Sequence, residues 1–123
     1  MTFRLHALLV VVVALLVASP PLRAHHGSAS FDTDKELTLQ GTVTEWLWAN
    51  PHCFLKFDVK DEKGTVNWSV EMGNPTDISV QGYRRTTFKP GEMVTVVLQP
   101  VKSGAPVGRL RRVTAGSGQK FGY

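Results

Sequence analysis

One cysteine, Cys53, stands among the 123 residues of the chain. No intrachain disulfide can form, so the fold must rest on its apolar core. The chain also lacks an apolar stretch long enough to span a bilayer, which needs about 20 residues. The apolar run Ala7–Val17 has 11. No HExxH pair, phosphate-binding glycine loop, Ser/His/Asp set or pair of catalytic carboxylates is present. Zincin, nucleotide-hydrolysing and glycosidase chemistries therefore have no foothold, and the expectation is a protein that is not an enzyme. Strong charge of either sign is missing too: 14 Lys and Arg face 10 Asp and Glu, a net charge of +4. That balance does not point to nucleic acid.

The beginning of the chain fits a secretory signal. Arg4 gives the leading residues positive charge, Ala7–Val17 is the apolar stretch, and Ala18-Ser19-Pro20-Pro21-Leu22-Arg23-Ala24 breaks it and ends on a small residue. The reading is a signal peptide over 1–24, cut after Ala24, with a cut after Ala18 or a short uncleaved anchor as alternatives. Periplasmic or secreted localisation follows, with no transmembrane segment in the mature chain. Removal of Arg4 and Arg23 lowers the basic count from 14 to 12 and the net charge from +4 to about +2. What remains, 25–123, is enough for one domain and not for two.

Within it, 25–35 is polar and Gly/Ser-rich and is expected to be a flexible leading segment. From Glu36 to Ala49 the apolar residues alternate, with Leu37, Leu39, Gly41 and Val43 on one count. Trp46 and Trp48 fall on the other count, so a β-bulge near Thr44-Glu45 is predicted. Asn50-Pro51 marks a turn. A second strand runs His52–Lys60 and a third Thr65–Met72, joined by the hairpin loop Asp61-Glu62-Lys63-Gly64. Asn74 or Thr76 can cap a short helix over Asp77–Tyr83. Lys89-Pro90-Gly91-Glu92 is a tight turn, Met93–Val101 a fourth strand, Gly104–Gly108 a loop and Arg109–Ala115 a fifth strand. Residues 116–123 read as a polar tail. Three strands, a short helical linker and two more strands match an all-β, five-stranded OB-like Greek-key barrel, with a small sandwich or roll as the alternative. The expected core is Leu39, Val43, Leu55, Phe57, Val66, Trp68, Val70, Val94 and Leu98.

The residues able to carry chemistry gather at two places. Cleavage after Ala24 makes His25 residue one. Its free amine and ring nitrogen can chelate a metal, and a second histidine completes a histidine brace, a donor set that favours Cu(II). His52, starting the second strand from the stiff Asn50-Pro51 turn, is the natural third ligand, and its parity turns it away from the core. Glu71 on the neighbouring strand is either a carboxylate ligand or a group that orients His52. The candidate metal set is thus His25, His26, His52 and Glu71, with copper the expected ion. The plain alternative is that the two leading histidines lie in an idle tail and His52 bonds only backbone. Cys53 shares parity with Leu55 and Phe57 and is expected to be a buried structural thiol.

The second place is aromatic. Trp46, Trp48 and Phe54 cluster near one turn and form a candidate ligand-binding platform, or else the tryptophans close one end of the core. This gives the competing reading: an exported interaction module that binds a small ligand or a periplasmic partner protein. The pair Arg84-Arg85 and the group Arg109, Arg111 and Arg112 are read as solvated faces, with an anion site as the alternative.

Several short motifs coincide. They are Ala24-His25-His26-Gly27-Ser28, Phe31-Asp32, Gly41-Thr42-Val43, Trp48-Ala49-Asn50-Pro51-His52, Trp68-Ser69-Val70-Glu71 and Lys89-Pro90-Gly91. Together they resemble an uncharacterised family of small exported bacterial proteins, the domain-of-unknown-function family six-one-five-two. Gly27 departs from the serine expected after the histidine pair. The resemblance implies an exported, small β-domain and no particular activity.

Overall fold

β1 (Leu37–Leu47) alternates side chains between two faces until Thr44 and then changes parity. Its register against β2 (Phe54–Asp61) shifts between Val43 and Glu45, so Val43 lies opposite Phe57 and Trp46 opposite Leu55. The extra residue is the predicted bulge. It bends the strand and keeps apolar residues of both halves on the inner face. The computed structural model in which this is seen describes residues 30–122. The proposed signal peptide, His25 and His26 lie outside the described residues.

β2 and β3 (Gly64–Glu71) form the expected hairpin, paired from Phe54↔Glu71 to Asp61↔Gly64. Helix α1 (Pro75–Ser79) follows. It begins two residues earlier than the apolar pattern suggests, because Asn74 caps it by accepting a hydrogen bond from the Asp77 amide at 3.0 Å. Pro75 then sits in the first turn, where its missing N–H costs nothing. β4 (Met93–Pro100) pairs with the first half of β1, and β5 (Val107–Ala115) pairs with β4. Closure comes from a parallel pair between β3 and β5: Ser69↔Val107, Val70↔Gly108 and Glu71↔Arg109. The result is a closed, mixed five-stranded barrel with one short helix between β3 and β4, the OB-like order expected.

The barrel interior holds Val43, Leu55, Phe57, Val70, Val94, Val96, Leu98, Leu110 and Val113. Gly41 marks a close approach of β1 to β2: a Cβ there would collide with the Asp58 carbonyl oxygen. Gly108 does the same for β5, where a Cβ would meet Leu98 Cδ1 at 2.6 Å.

Four expectations need correction. Val66 is exposed, because the β2–β3 hairpin runs on past the barrel wall at its loop end. Residues 116–123 are not merely a polar tail: Lys120–Gly122 forms β6 on β5, and Phe121 is buried. Part of the leading segment is tied down. Phe31 is 2% exposed and bridges Val101, the Asp32 amide donates to the Pro100 carbonyl, and the Lys102 amide donates to the Ser30 carbonyl. Finally, Val107 and Gly108 belong to β5 and not to the preceding loop.

Candidate functional site

The Asn50-Pro51 turn delivers His52 to the mouth of the barrel, and the next residue locks it there. The Cys53 amide donates to the Gly73 carbonyl, and the Met72 amide donates to the Cys53 carbonyl. His52 is therefore fixed across from the end of β3. Its Nδ1 lies 3.0 Å from the Met72 carbonyl oxygen and 3.1 Å from Glu71 Oε1. The Met72 carbonyl can only accept, so Nδ1 carries the hydrogen. In the neutral ring the lone pair then belongs to Nε2. The His52 side chain is 45% exposed and lines an open groove. Glu71 and Met72 thus do what the carboxylate and carbonyl partners of metal-bound histidines do: they set tautomer and ring orientation.

Glu71 lies opposite Phe54 on one side and Arg109 on the other. It is the shared wall of two depressions. The first, about 380 Å³, is lined by His52, Glu71, Met72, Gly73, Arg109 and Arg111. The second, about 540 Å³, has apolar walls from Phe31, Phe54, Val101, Ala105 and Val107. The Arg109 guanidinium lies over the Phe31 ring at 4.6 Å and so sits between them. Arg111 Nε is 3.6 Å from Glu36 Oε1.

The three aromatic residues expected to form one platform are divided. Trp46 lies opposite buried Leu55 and shares its inward face, whereas Phe54 lies opposite Leu47 and Glu71 on the outer one. Trp46 and Trp48, with ring centroids 5.7 Å apart, pack against the core. Trp46 meets Phe88 edge-on at 5.2 Å and donates its indole N–H to the Arg84 carbonyl at 3.0 Å. Phe121 stacks on Tyr83 at 4.7 Å within the same cluster. The tryptophans therefore close the core, and Phe54 alone faces outward.

Cys53 is buried, with Sγ 3.8 Å from the Ala49 carbonyl oxygen. Burial pushes its thiol above the ordinary range, against smaller opposing effects of that carbonyl contact and of Arg85. It stays protonated and is no ligand for the groove. Among the described residues, no three His, Cys, Asp or Glu side chains gather as a metal cluster. None of their helices is long and apolar enough to cross a membrane.

Residues 12–110 match the model of DUF6152, a family of unknown function. The chain belongs to the DUF6152 family. No curated protein matches it. For this DUF6152 member the sequence offered His52 and Glu71 as neighbours and Arg109 as an alternative anion site, but gave no signal that Phe31 and Arg109 meet beside them. Those two arrive through a bridge and a parallel strand pair between distant segments, which leave no local periodicity.

Proposed function

We propose that this DUF6152 protein is exported and binds a metal ion, with Cu(II) the best fit. His52 Nε2 supplies one nitrogen; the amine and ring nitrogen of His25, or the ring of His26, supply the others. What supports the reading is the orientation of His52: two acceptors hold the hydrogen on Nδ1 and leave Nε2 free at an open groove. Glu71 serves as the orienting partner and as the one carboxylate facing the groove, where it offsets the charge of Arg109 and Arg111.

Chain length supports it as well. Ser30 lines the cleft that shares Glu71 with the His52 groove. Five residue steps lead back from Ser30 to His25, a reach of about 17 Å at full extension. Ordering them costs about 1–2 kcal/mol per residue, which metal binding has to exceed.

The test is calorimetric titration of the chain beginning at His25 with Cu(II). His52→Ala should weaken binding about tenfold or more, and one added residue ahead of His25 should weaken it by a similar factor. Equal affinity for wild type and His52→Ala removes His52 from the site. Equal affinity for the extended chain removes the α-amine.

The platform reading survives only in altered form. Phe54 faces a cleft whose other aromatic wall is Phe31, and neither tryptophan takes part.

A further inference from the structure

Arg109 is held but not used. Its guanidinium carbon lies over the Phe31 ring, 4.6 Å from the centroid, and the group makes no hydrogen bond or ion pair with any described residue. The nearest carboxylate along the parallel pair, Glu71, is turned to His52 Nδ1 instead. A guanidinium stacked on an aromatic face keeps its edge N–H donors in one plane, the geometry that fits a carboxylate. Arg111, two residues on, lines the same groove, and Lys102 lines the far side of the adjoining cleft. Arg111 is shared with Glu36 and Glu71 is turned to His52, so Arg109 and Lys102 are the lining cations with no carboxylate partner among the described residues, and they select a negative ligand.

The adjoining cleft says what else that ligand carries. Its walls are apolar, its volume of about 540 Å³ falls in the range of small-molecule sites, and Arg109's own stacking partner Phe31 is part of it. We propose that groove and cleft together form one binding site for a small amphipathic carboxylate. The apolar body lies against Phe54, Val101 and Val107, beside the buried Phe31 ring, and the carboxylate meets the edge of Arg109. This site does not depend on the metal reading, since it uses neither leading histidine and needs no ion.

The probes are hexanoate, hexan-1-ol and acetate, titrated into the purified protein after treatment with a chelator and followed by amide NMR. Hexanoate should shift the resonances of Phe31, Phe54 and Arg109. It should bind about tenfold tighter than either hexan-1-ol or acetate, since only it supplies both halves of the contact. Arg109→Gln should remove the advantage of hexanoate over hexan-1-ol. Phe54→Ser, a change at a half-exposed position, should weaken hexanoate while leaving acetate as it was. The proposal is overturned by equal binding of hexanoate and hexan-1-ol, by shifts confined to other faces, by no binding of hexanoate, or by an Arg109→Gln protein that binds hexanoate like wild type. Because the metal is stripped first, a failure here leaves the Cu(II) titration untouched, and the reverse also holds.

Discussion

Two aromatic regions of this barrel differ by one step of strand parity and end with opposite roles. On the inner face, Trp46, Trp48, Tyr83, Phe88 and Phe121 pack ring on ring. They touch one another and the core. On the outer side, half-exposed Phe54 and the buried Phe31 both line one cleft. Phe31 there carries a guanidinium in place of another ring. The bulge at Thr44 decides which residues go where, because shifting β1 by one residue turns Trp46 inward beside Leu55. Residue type alone does not separate structural aromatics from available ones; the neighbour across the strand does.

The comparison breaks first at Phe121. It is 6% exposed and joins Tyr83 and Phe88. Phe121→Ala should lower unfolding stability by about 3 kcal/mol, near the low end for a buried phenylalanine on a short terminal strand. Phe54→Ala, at a half-exposed position, should cost about 1 kcal/mol or less. Urea unfolding of the two variants checks the pair, and equal losses would erase the distinction between the regions.

Much of the barrel is legible in the sequence, for physical reasons. Alternation in β2, β3 and β4 marks faces because each strand is buried on one side. The parity break in β1 reads as a bulge because no other arrangement buries both Val43 and Trp46. A short helix is legible because Asn74 or Thr76 can cap one, but its start at Pro75 is not, since the apolar positions Ile78, Val80 and Tyr83 point to Asp77–Tyr83. Phe121 was not legible, since one apolar residue after Gly116-Ser117-Gly118-Gln119-Lys120 has no period. Val66 misled because its pattern fits the core while its position lies beyond the barrel wall. In the candidate site, His52 and Glu71 could be paired from the β2–β3 register. Arg109 and Phe31 could not, because the β3–β5 parallel pair joins segments with no sequence mark of their contact.

Cys53 offers a sharper test of the inner region. Its thiol is buried and its folded pKa is raised. It should react slowly with thiol reagents under native conditions and rapidly after unfolding. The sign of the pH effect follows. Below the ordinary thiol pKa both states are protonated, and stability is unaffected. As pH rises from there toward the raised folded value, the unfolded chain ionises first and stability falls. Cys53→Ala should show a shallower alkaline loss when unfolding is followed from neutral pH upward. An unchanged slope would show that the thiol is not buried in solution.

The smallest effect belongs to the surface. Lys56 pairs with Glu45 across β1 and β2, with both side chains well exposed. Lys56→Ala should change stability by about 0.5 kcal/mol or less, within the usual worth of an exposed ion pair. A loss matching that of Phe121→Ala would mean that the outer face contributes far more to the fold than its packing implies.

The proposed metal site rests on His52, and electron paramagnetic resonance of bound Cu(II) tests it most directly. The chain beginning at His25, loaded with one equivalent of Cu(II), should show coupling to nitrogen donors that include the His52 ring. Glu71→Gln should keep the same donor set with weakened affinity, because the proposed part of Glu71 is to orient the ring and not to bind the ion. His52→Ala should show one nitrogen fewer. Identical spectra for wild type and His52→Ala would contradict the account.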